Sequence, residues 1–210
     1  MIPAIVLAAG TSSRMGRPKA LLPIGTSGDT FLTRILTELR AGGAERIIVV
    51  LGGHAAEIRE SLLARRSVGE GGKDPSLTVV DNPNFESGQL SSLLVGIDAA
   101  DTPGVDAVMV TLVDLPLITA ATVRAVLDAH RQSPDAPLIR PRRGQRHGHP
   151  VIFHRVLFDE LRRADPSKGA KPVVHAHAAE EVNVDVDDDG AFIDVDTPDD
   201  YEKYVGGRAV

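Results

Sequence analysis

The chain has 210 residues, and its 23 Lys and Arg against 29 Asp and Glu give a formal net charge of −6. This acidic balance argues against a nonspecific nucleic-acid binder and against a polybasic membrane anchor. The chain has no cysteine, which excludes disulfides, thiolate zinc sites, iron–sulfur clusters and cysteine nucleophiles.

The N-terminal segment MIPAIVLAAG lacks the basic part and the long apolar part of a signal peptide. No stretch reaches the about 18 uninterrupted apolar residues that a membrane span needs. We therefore expect a cytoplasmic protein with no nucleic-acid partner and no membrane partner. The length predicts a single domain over residues 1–210.

From the N-terminus to residue 131, short runs rich in Val and Ile alternate with segments of helical periodicity. This alternation is typical of parallel strands joined by helical crossovers, so the predicted fold class is α/β with a mostly parallel sheet. Predicted strands cover residues 2–7, 46–51, 77–81 and 107–113. Predicted helices cover residues 30–41, 54–65, 90–100 and 119–131, and Thr119 is placed to cap the last of them.

Beyond residue 131 the pattern is less regular. The segments APLIRP, HPVIFH and EVNVDV are predicted strands, and RVLFDELRRA is a predicted helix after the second of them. We interpret these segments either as an extension of the same sheet or as a small subdomain. Residues 69–75 are predicted to form an exposed loop, and the final GGRAV a frayed tail.

The opening loop, LAAGTSSRMGRPK, follows the first predicted strand directly. Gly10 and Gly16 let the backbone come close to a ligand, while hydroxyl groups and the cations Arg14 and Lys19 suit a polyphosphate. Ala20 follows Lys19, so the loop is not a P-loop, and it has no G-x-G-x-x-G fingerprint. From the residues alone, an ordinary turn with solvated basic side chains is the alternative.

Two acidic segments suit a hard cation. Asp114 ends the strand in MVTLVDLP, where a carboxylate can hold magnesium against a triphosphate, although a turn aspartate before proline is the alternative. In IDVDTPDDY, strand alternation would place Asp194 and Asp196 on one face, one to bind metal and the other to cap or orient. The acidic residues at 185–189 are interpreted as a solvated turn.

The middle segment NPNFESGQLSSLLVGI joins Asn82 at a strand end to Gly88 and a serine pair at a helix start. These groups offer an amide, bare backbone and hydroxyls to a base and a sugar, with a plain loop and helix cap as the alternative.

The densest basic patch is RPRRGQRHGHPVIF, and a phosphorylated acceptor would explain it. A mobile solvated hairpin is the alternative, and a zinc site is disfavoured because no third ligand lies nearby. The basic side chains of this patch are Arg140, Arg142, Arg143, Arg146, His147 and His149.

From Leu7 to Tyr201, these segments resemble, in their order along the chain, those of the nucleotidyltransferases related to the molybdenum-cofactor guanylyl- and cytidylyltransferases. The resemblance implies a Rossmann-like three-layer α/β/α sandwich in which the opening loop wraps a nucleoside triphosphate. It implies that Arg14, Lys19 and Asp114 are catalytic, and that Asp114 and Asp196 bind Mg²⁺. It implies acceptor binding by Gly148, His149 and Pro150, and the basic patch adds Arg143 to this predicted acceptor set. The nucleotide-binding set that it implies is Leu7, Ala8, Ala9, Gly10, Ser12, Arg14, Lys19, Asn82, Gly88, Ser92 and Asp114.

The resemblance implies transfer of CMP from CTP to a phosphorylated acceptor, with molybdopterin favoured and a molybdenum hydroxylase as a further partner. The form LAAG, as opposed to LAGG, resembles the cytidine- and uridine-using branches more than the guanylyl branch. The alternatives are another acceptor, such as a sugar phosphate or a deazaflavin-cofactor precursor, and a non-catalytic maturation partner of a molybdenum hydroxylase. A flavin- or nicotinamide-dependent reductase is disfavoured by the missing dinucleotide fingerprint.

Overall fold

The computed structural model describes residues 1–66 and 74–206, which are built around one large sheet. The long helices begin and end close to the predicted positions. Its strands are β1 (Ala4–Ala8), β2 (Pro23–Ile24), β3 (Asp29–Thr30), β4 (Ile47–Leu51), β5 (Leu77–Asp81), β6 (Ala107–Leu112), β7 (Leu138–Arg143), β8 (Arg146–His147), β9 (Val151–His154) and β10 (Val182–Asp185). Its α-helices are α1 (Phe31–Ala41), α2 (Ala55–Arg66), α3 (Gln89–Ala100), α4 (Ala120–Gln132), α5 (Phe158–Arg163), α6 (Lys171–Ala176) and α7 (Pro198–Tyr204).

The main sheet has the strand order β10-β7-β9-β6-β1-β4-β5, with β8 paired to β7. β9 runs antiparallel to β6 and β7, while β1, β4, β5 and β6 pair in parallel. In the centre, Leu7 of β1 is in register with Val50 of β4 and Leu112 of β6. The later segments therefore extend the same sheet and do not form a separate subdomain.

Helices cover both faces of the sheet, which confirms the predicted α/β/α sandwich. Alternate residues of β1 point to opposite faces, as the pleat requires. Ala4 and Val6 pack with residues of α1, α2 and α4, whereas Ile5 and Leu7 pack with residues of α3, α5 and α6. Every residue of β1 is buried, because the strand lies in the middle of the sheet between two helical layers.

Differences from the predicted elements are small and have local causes. The first strand begins at Ala4, two residues later than predicted. Thr119 lies just outside α4 and caps it, because its side chain accepts a hydrogen bond from the Thr122 amide. The segment RVLFDELRRA splits into a 3-10 turn at Arg155–Leu157 and α5. The predicted loop at 69–75 and the predicted tail lie largely outside the described residues.

A small apolar cluster, separate from the packing on the two faces of the sheet, attaches α7 to the ribbon of β2 and β3. Leu22, Phe31, Val195 and Val205 are buried together there. The Tyr201 hydroxyl donates a hydrogen bond of 2.8 Å to the Pro23 carbonyl oxygen. This attachment brings the segment before α7 next to the opening loop. Within the described ranges, no helix is long and apolar enough to cross a membrane.

Candidate active site

A cavity of about 540 Å³ opens where β1 and β6 end, at the carboxyl edge of the parallel strands. In open α/β sheets this edge is the usual place for a ligand. The opening loop forms one side of the cavity, and the N-terminus of α3 forms another. Predicted site residues in its wall are Leu7, Ala8, Ala9, Gly10, Ser12, Arg14, Lys19, Gly88, Ser92, Asp114 and Asp196.

Ser12 shapes the opening loop. Its φ of 53° lies in the left-handed region that residues other than glycine rarely adopt. Its hydroxyl accepts a hydrogen bond of 3.0 Å from the Lys19 amide, and its carbonyl oxygen accepts one of 2.9 Å from the Met15 amide. Ser12 therefore folds the loop back on itself and fixes Lys19 at the start of the 3-10 turn Lys19–Leu21.

A turn after β4 supports the opening loop from the side, and sequence reasoning missed it. The Gly53 amide donates to the Ala9 carbonyl oxygen at 3.1 Å, and His54 Nε2 donates to the Thr11 carbonyl oxygen at 3.0 Å. A Cβ at Gly52 would overlap the Ala9 carbonyl oxygen, so the two chains pass in close contact. The letters GGH directly after an apolar strand were the available signal, because neighbouring parallel strands end side by side.

Lys19 and Arg14 converge on the carboxylate of Asp196. Lys19 Nζ donates a hydrogen bond to Asp196 Oδ1 and lies 3.6 Å from Asp114 Oδ2. Arg14 Nη2 donates to Asp196 Oδ2 at 2.8 Å. The Lys19 side chain is only 11% exposed, whereas that of Arg14 is 66% exposed. The hydrogen bond from Lys19 is the main reason that the pKa of Asp196 lies below its ordinary value.

The two carboxylates fit a divalent cation that also binds a phosphate. Asp114 Oδ1 is buried, and no hydrogen-bond partner for it is found among the described residues. Those residues contain no group of three or more His, Cys, Asp or Glu side chains arranged to hold a metal. Mg²⁺ is usually bound by one or two carboxylates together with substrate phosphates and water. Asp114 and Asp196 therefore suit Mg²⁺ only in the presence of a phosphate ligand.

The strand predicted around Asp194 and Asp196 is wrong. Residues 193–196 are extended but do not pair with a strand in the described structure. The amide of the buried Val195 instead donates to the Asp114 carbonyl oxygen at 2.8 Å. Asp196 lines the cavity and Asp194 does not. Partial desolvation, and then the negative charges of Asp114 and Asp196, raise the pKa of Asp194 above its ordinary value.

Asn82 lies beneath the cavity wall and does not line it. Its Nδ2 donates to Ser91 Oγ at 2.8 Å and to Ser92 Oγ at 3.0 Å, and its Oδ1 accepts from the Asn84 amide at 2.9 Å. These bonds fix the turn before α3. Gly88 in this turn has φ 102° and ψ 174°, a conformation that only glycine adopts readily. Asn82 thus positions Gly88 and Ser92, which do line the cavity.

A second cavity of about 700 Å³ adjoins the first and shares with it the residues Leu7, Gly88, Gln89 and Leu112. Of the residues predicted to bind the acceptor, Gly148 and His149 line this second cavity. Desolvation lowers the pKa of His149 below its ordinary value, although its Nδ1 lies 3.2 Å from the Val110 carbonyl oxygen.

The other two residues predicted to bind the acceptor lie outside both cavity walls. Pro150 is buried behind the wall of the second cavity. Arg143 lines neither cavity, and its guanidinium group forms ion pairs with Asp187 and Asp189. Its charge is therefore already balanced within the protein.

The basic patch and the acidic residues at 185–189 neutralise each other. Arg142 Nε lies 2.9 Å from Asp185 Oδ1, and Arg146 Nη2 donates to the Phe192 carbonyl oxygen at 2.6 Å. Asp188 accepts a hydrogen bond of 2.7 Å from the Thr122 hydroxyl at the start of α4. Asp185, Asp187 and Asp189 are exposed, as the interpretation of this acidic run as a solvated turn predicts. They also form ion pairs with Arg142 and Arg143 of β7, and Asp188 links the run to the start of α4.

Comparison with known proteins identifies the family that this chain resembles. The family described as the MobA-like NTP transferase domain matches residues 4–182. A molybdenum cofactor cytidylyltransferase of Escherichia coli (strain K12) is 26% identical over 95% of this chain and 93% of its own length. A probable molybdenum cofactor guanylyltransferase of Rhodopirellula baltica is 29% identical over 80% of this chain and 82% of its own length.

A solved structure resembles nearly the whole chain. It is that of Rv0371c from Mycobacterium tuberculosis H37Rv in complex with manganese, which is 31% identical. The comparison covers 98% of both chains with a TM-score of 0.72. The similarity therefore includes the edge of the sheet at which both cavities lie.

Proposed function

The chain belongs to the MobA-like NTP transferase family and is therefore a nucleotidyltransferase, and we propose that it transfers CMP from CTP to a phosphate of molybdopterin. The observation that carries the proposal is the convergence of Arg14 and Lys19 on Asp114 and Asp196 at one end of a cavity. Two fixed cations and two hard carboxylates are the groups needed to handle a triphosphate with a divalent metal.

In this proposal the triphosphate of CTP lies along the opening loop. Arg14 and Lys19 contact its phosphates, while Ala8, Ala9 and Gly10 lie beside the base and the ribose. Ser92 and Gly88 face the nucleoside from the other side, supported by Asn82. The cavity volume of about 540 Å³ lies in the range of small-molecule sites.

We propose Mg²⁺ as the cofactor, held by Asp114 and Asp196. When bound, the metal neutralises negative charge on the triphosphate. The buried Asp114 Oδ1, for which the described residues offer no hydrogen-bond donor, supports this assignment. The manganese complex of Rv0371c supports a divalent cation in a relative of this chain.

The reaction needs no covalent intermediate with the protein. An oxygen of the acceptor phosphate attacks the α-phosphorus of CTP, the bond to the β-phosphate oxygen breaks, and pyrophosphate leaves. Negative charge builds up on the transferred group, and Arg14 and Lys19 are placed to stabilise it. The acceptor lies in the second cavity beside Gly148 and His149, so that its phosphate reaches the nucleotide at the shared wall.

CTP is preferred in this proposal for two reasons. The cytidylyltransferase of E. coli aligns with 95% of this chain, and the opening loop reads LAAG. GTP is the second candidate, because the relative from R. baltica is described as a probable guanylyltransferase. The residues of the cavity wall do not by themselves distinguish the two bases.

The test is pyrophosphate release from CTP, GTP, UTP and ATP, each with Mg²⁺ and molybdopterin. We expect release with CTP, and loss of release in an Asp114→Ala variant. Release with GTP alone would replace the cytidylyl assignment by a guanylyl one. Binding of a nucleotide by calorimetry without any release would indicate a different acceptor or a non-catalytic role.

A further inference from the structure

We propose that Arg140, Lys168 and Lys171 select the acceptor by its negative charge, above an apolar floor that receives a ring. The inference rests on the proposed function, because it takes the second cavity to be the acceptor site. It adds Lys168 and Lys171, which lie outside the sequence motifs described above.

The floor of the second cavity is apolar. It is built from side chains that α3, α6 and two central strands contribute to the core on this face of the sheet. A flat, apolar surface of this kind suits the face of a ring system. The residues that form it are Leu90, Leu93, Val110, Val151, Phe153 and Val174.

The polar part of this cavity is basic, in a chain whose net charge is −6. Among the described residues, no Asp or Glu lines the second cavity, whereas Glu86, Asp114 and Asp196 line the first. The first cavity thus has both cations and carboxylates in its wall, whereas the second has cations without carboxylates and so attracts an anion directly. The basic lining residues are Arg140, His147, His149, Lys168, Lys171 and His175.

Arg140 is held in place by a buried carboxylate. Its Nη2 lies 2.7 Å from Glu181 Oε2, and the side chains are 16% and 6% exposed. Asn183 Nδ2 donates to Glu181 Oε1 at 3.0 Å and fixes that carboxylate in turn. Arg140 is therefore held by this ion pair at the wall of the second cavity, where a planar guanidinium group suits recognition of a phosphate.

Lys168 and Lys171 line the second cavity. They follow Pro166, whose carbonyl oxygen is 3.8 Å from the position of a Cβ at Gly88, one of the four residues that both cavities share. Lys171 is exposed, and Lys168 Nζ is 4.0 Å from Asp165 Oδ2, too far for a hydrogen bond. Both ammonium groups can therefore turn to an anion that enters the second cavity.

The test compares the wild-type protein with a double variant, Lys168→Gln with Lys171→Gln. Lys203→Gln is the matched control, because Lys203 is exposed on α7 and lines neither cavity. Pyrophosphate release gives KM for CTP and for molybdopterin, and fluorescence titration gives the affinity for molybdopterin without turnover. For the double variant we expect KM and Kd for molybdopterin to rise about tenfold or more, with KM for CTP and kcat within about twofold of wild type.

Arg140→Lys is a second variant, because it keeps the charge but loses the planar fork. We expect it to weaken molybdopterin binding about fivefold or more at an unchanged melting temperature. Unchanged molybdopterin affinity in the double variant, an equal loss in Lys203→Gln, or no binding by the wild type would overturn the inference. If the wild type binds molybdopterin but releases no pyrophosphate, the proposed function fails while the binding titration still decides this inference.

Discussion

Lys19 donates a hydrogen bond to Asp196, although 177 residues separate them in the chain. Ser12 fixes the backbone of Lys19, and Val195 fixes that of Asp196 through its bond to the Asp114 carbonyl oxygen. The largely buried ammonium group of Lys19 therefore holds two carboxylates together that would otherwise repel each other. The groups proposed to bind phosphate and metal are therefore already in contact with one another.

Replacing Lys19 should abolish most of the activity. In Lys19→Met we expect kcat/KM for CTP to fall about 100-fold or more, because a fixed cation no longer stabilises the charge on the transferred phosphate. The measurement is pyrophosphate release at saturating Mg²⁺ and molybdopterin. A variant that keeps more than about a tenth of the wild-type kcat/KM would remove Lys19 from the proposed mechanism.

Asp114→Asn should reveal the metal site through the metal dependence of the reaction. We expect the Mg²⁺ concentration for half-maximal rate to rise about tenfold and kcat to fall about 100-fold, because an amide oxygen is a weaker ligand than a carboxylate. Asp106→Asn, which removes an exposed carboxylate outside both cavities, is the control. An unchanged Mg²⁺ dependence in Asp114→Asn would contradict the assignment.

Gly10→Ala should separate nucleotide binding from folding. A Cβ at Gly10 has no protein atom within 4 Å and would project into open space at the cavity wall. We expect the free energy of unfolding to change by less than about 0.5 kcal/mol and the Kd for CTP to rise about tenfold, because the methyl group occupies ligand space. Urea unfolding and calorimetry measure the two quantities.

Gly52→Ala tests the opposite case, because a Cβ at Gly52 would meet neighbouring protein atoms. Its Cβ would overlap the Ala9 carbonyl oxygen and the Phe85 side chain, so we expect destabilisation by about 2 kcal/mol. Equal stability of the two variants would show that the turn after β4 does not support the opening loop.

The stability of the ligand-free protein should depend on the ionisation of Asp196. The pKa of this carboxyl is held below its ordinary value of 3.8, first by the hydrogen bond from Lys19. Its contribution to stability is therefore fully present above pH about 4 and is lost as the pH falls through the lower folded-state pKa. Asp196→Asn should be less stable than wild type in urea at pH about 7, and the difference should shrink as the pH falls below the ordinary pKa of 3.8 and through the lower folded-state pKa. A difference independent of pH would contradict the ion pair.

Arg143→Gln should leave catalysis nearly unchanged. Arg143 lines neither cavity and pairs with Asp187 and Asp189, so we expect KM for molybdopterin within about twofold of wild type. The same kinetic assay checks this. A rise of about tenfold would return Arg143 to the acceptor site and show that the acceptor extends beyond the second cavity.

The sequence by itself determined the α/β class, the succession of the central strands and helices along the chain, and the place of the opening loop beside a ligand cavity. The physical reason is that these features depend on local patterns: buried parallel strands are continuously apolar, and their carboxyl ends meet at one edge of the sheet. Asp114 comes just after β6, and Arg14 and Lys19 lie in the loop that follows β1, so their chain positions predicted that they lie at the same edge of the sheet.

Only the tertiary structure shows which of two similar residues lines a cavity. Asp196 lines the cavity and Asp194 does not, because Val195 is anchored to the loop of Asp114 and not to a strand. Arg140 lines the second cavity, whereas Arg143 lies outside it and pairs with Asp187 and Asp189, more than 40 positions further along the chain. Contacts over such distances leave no periodicity in the sequence, since their free energy depends on which segments the fold brings together.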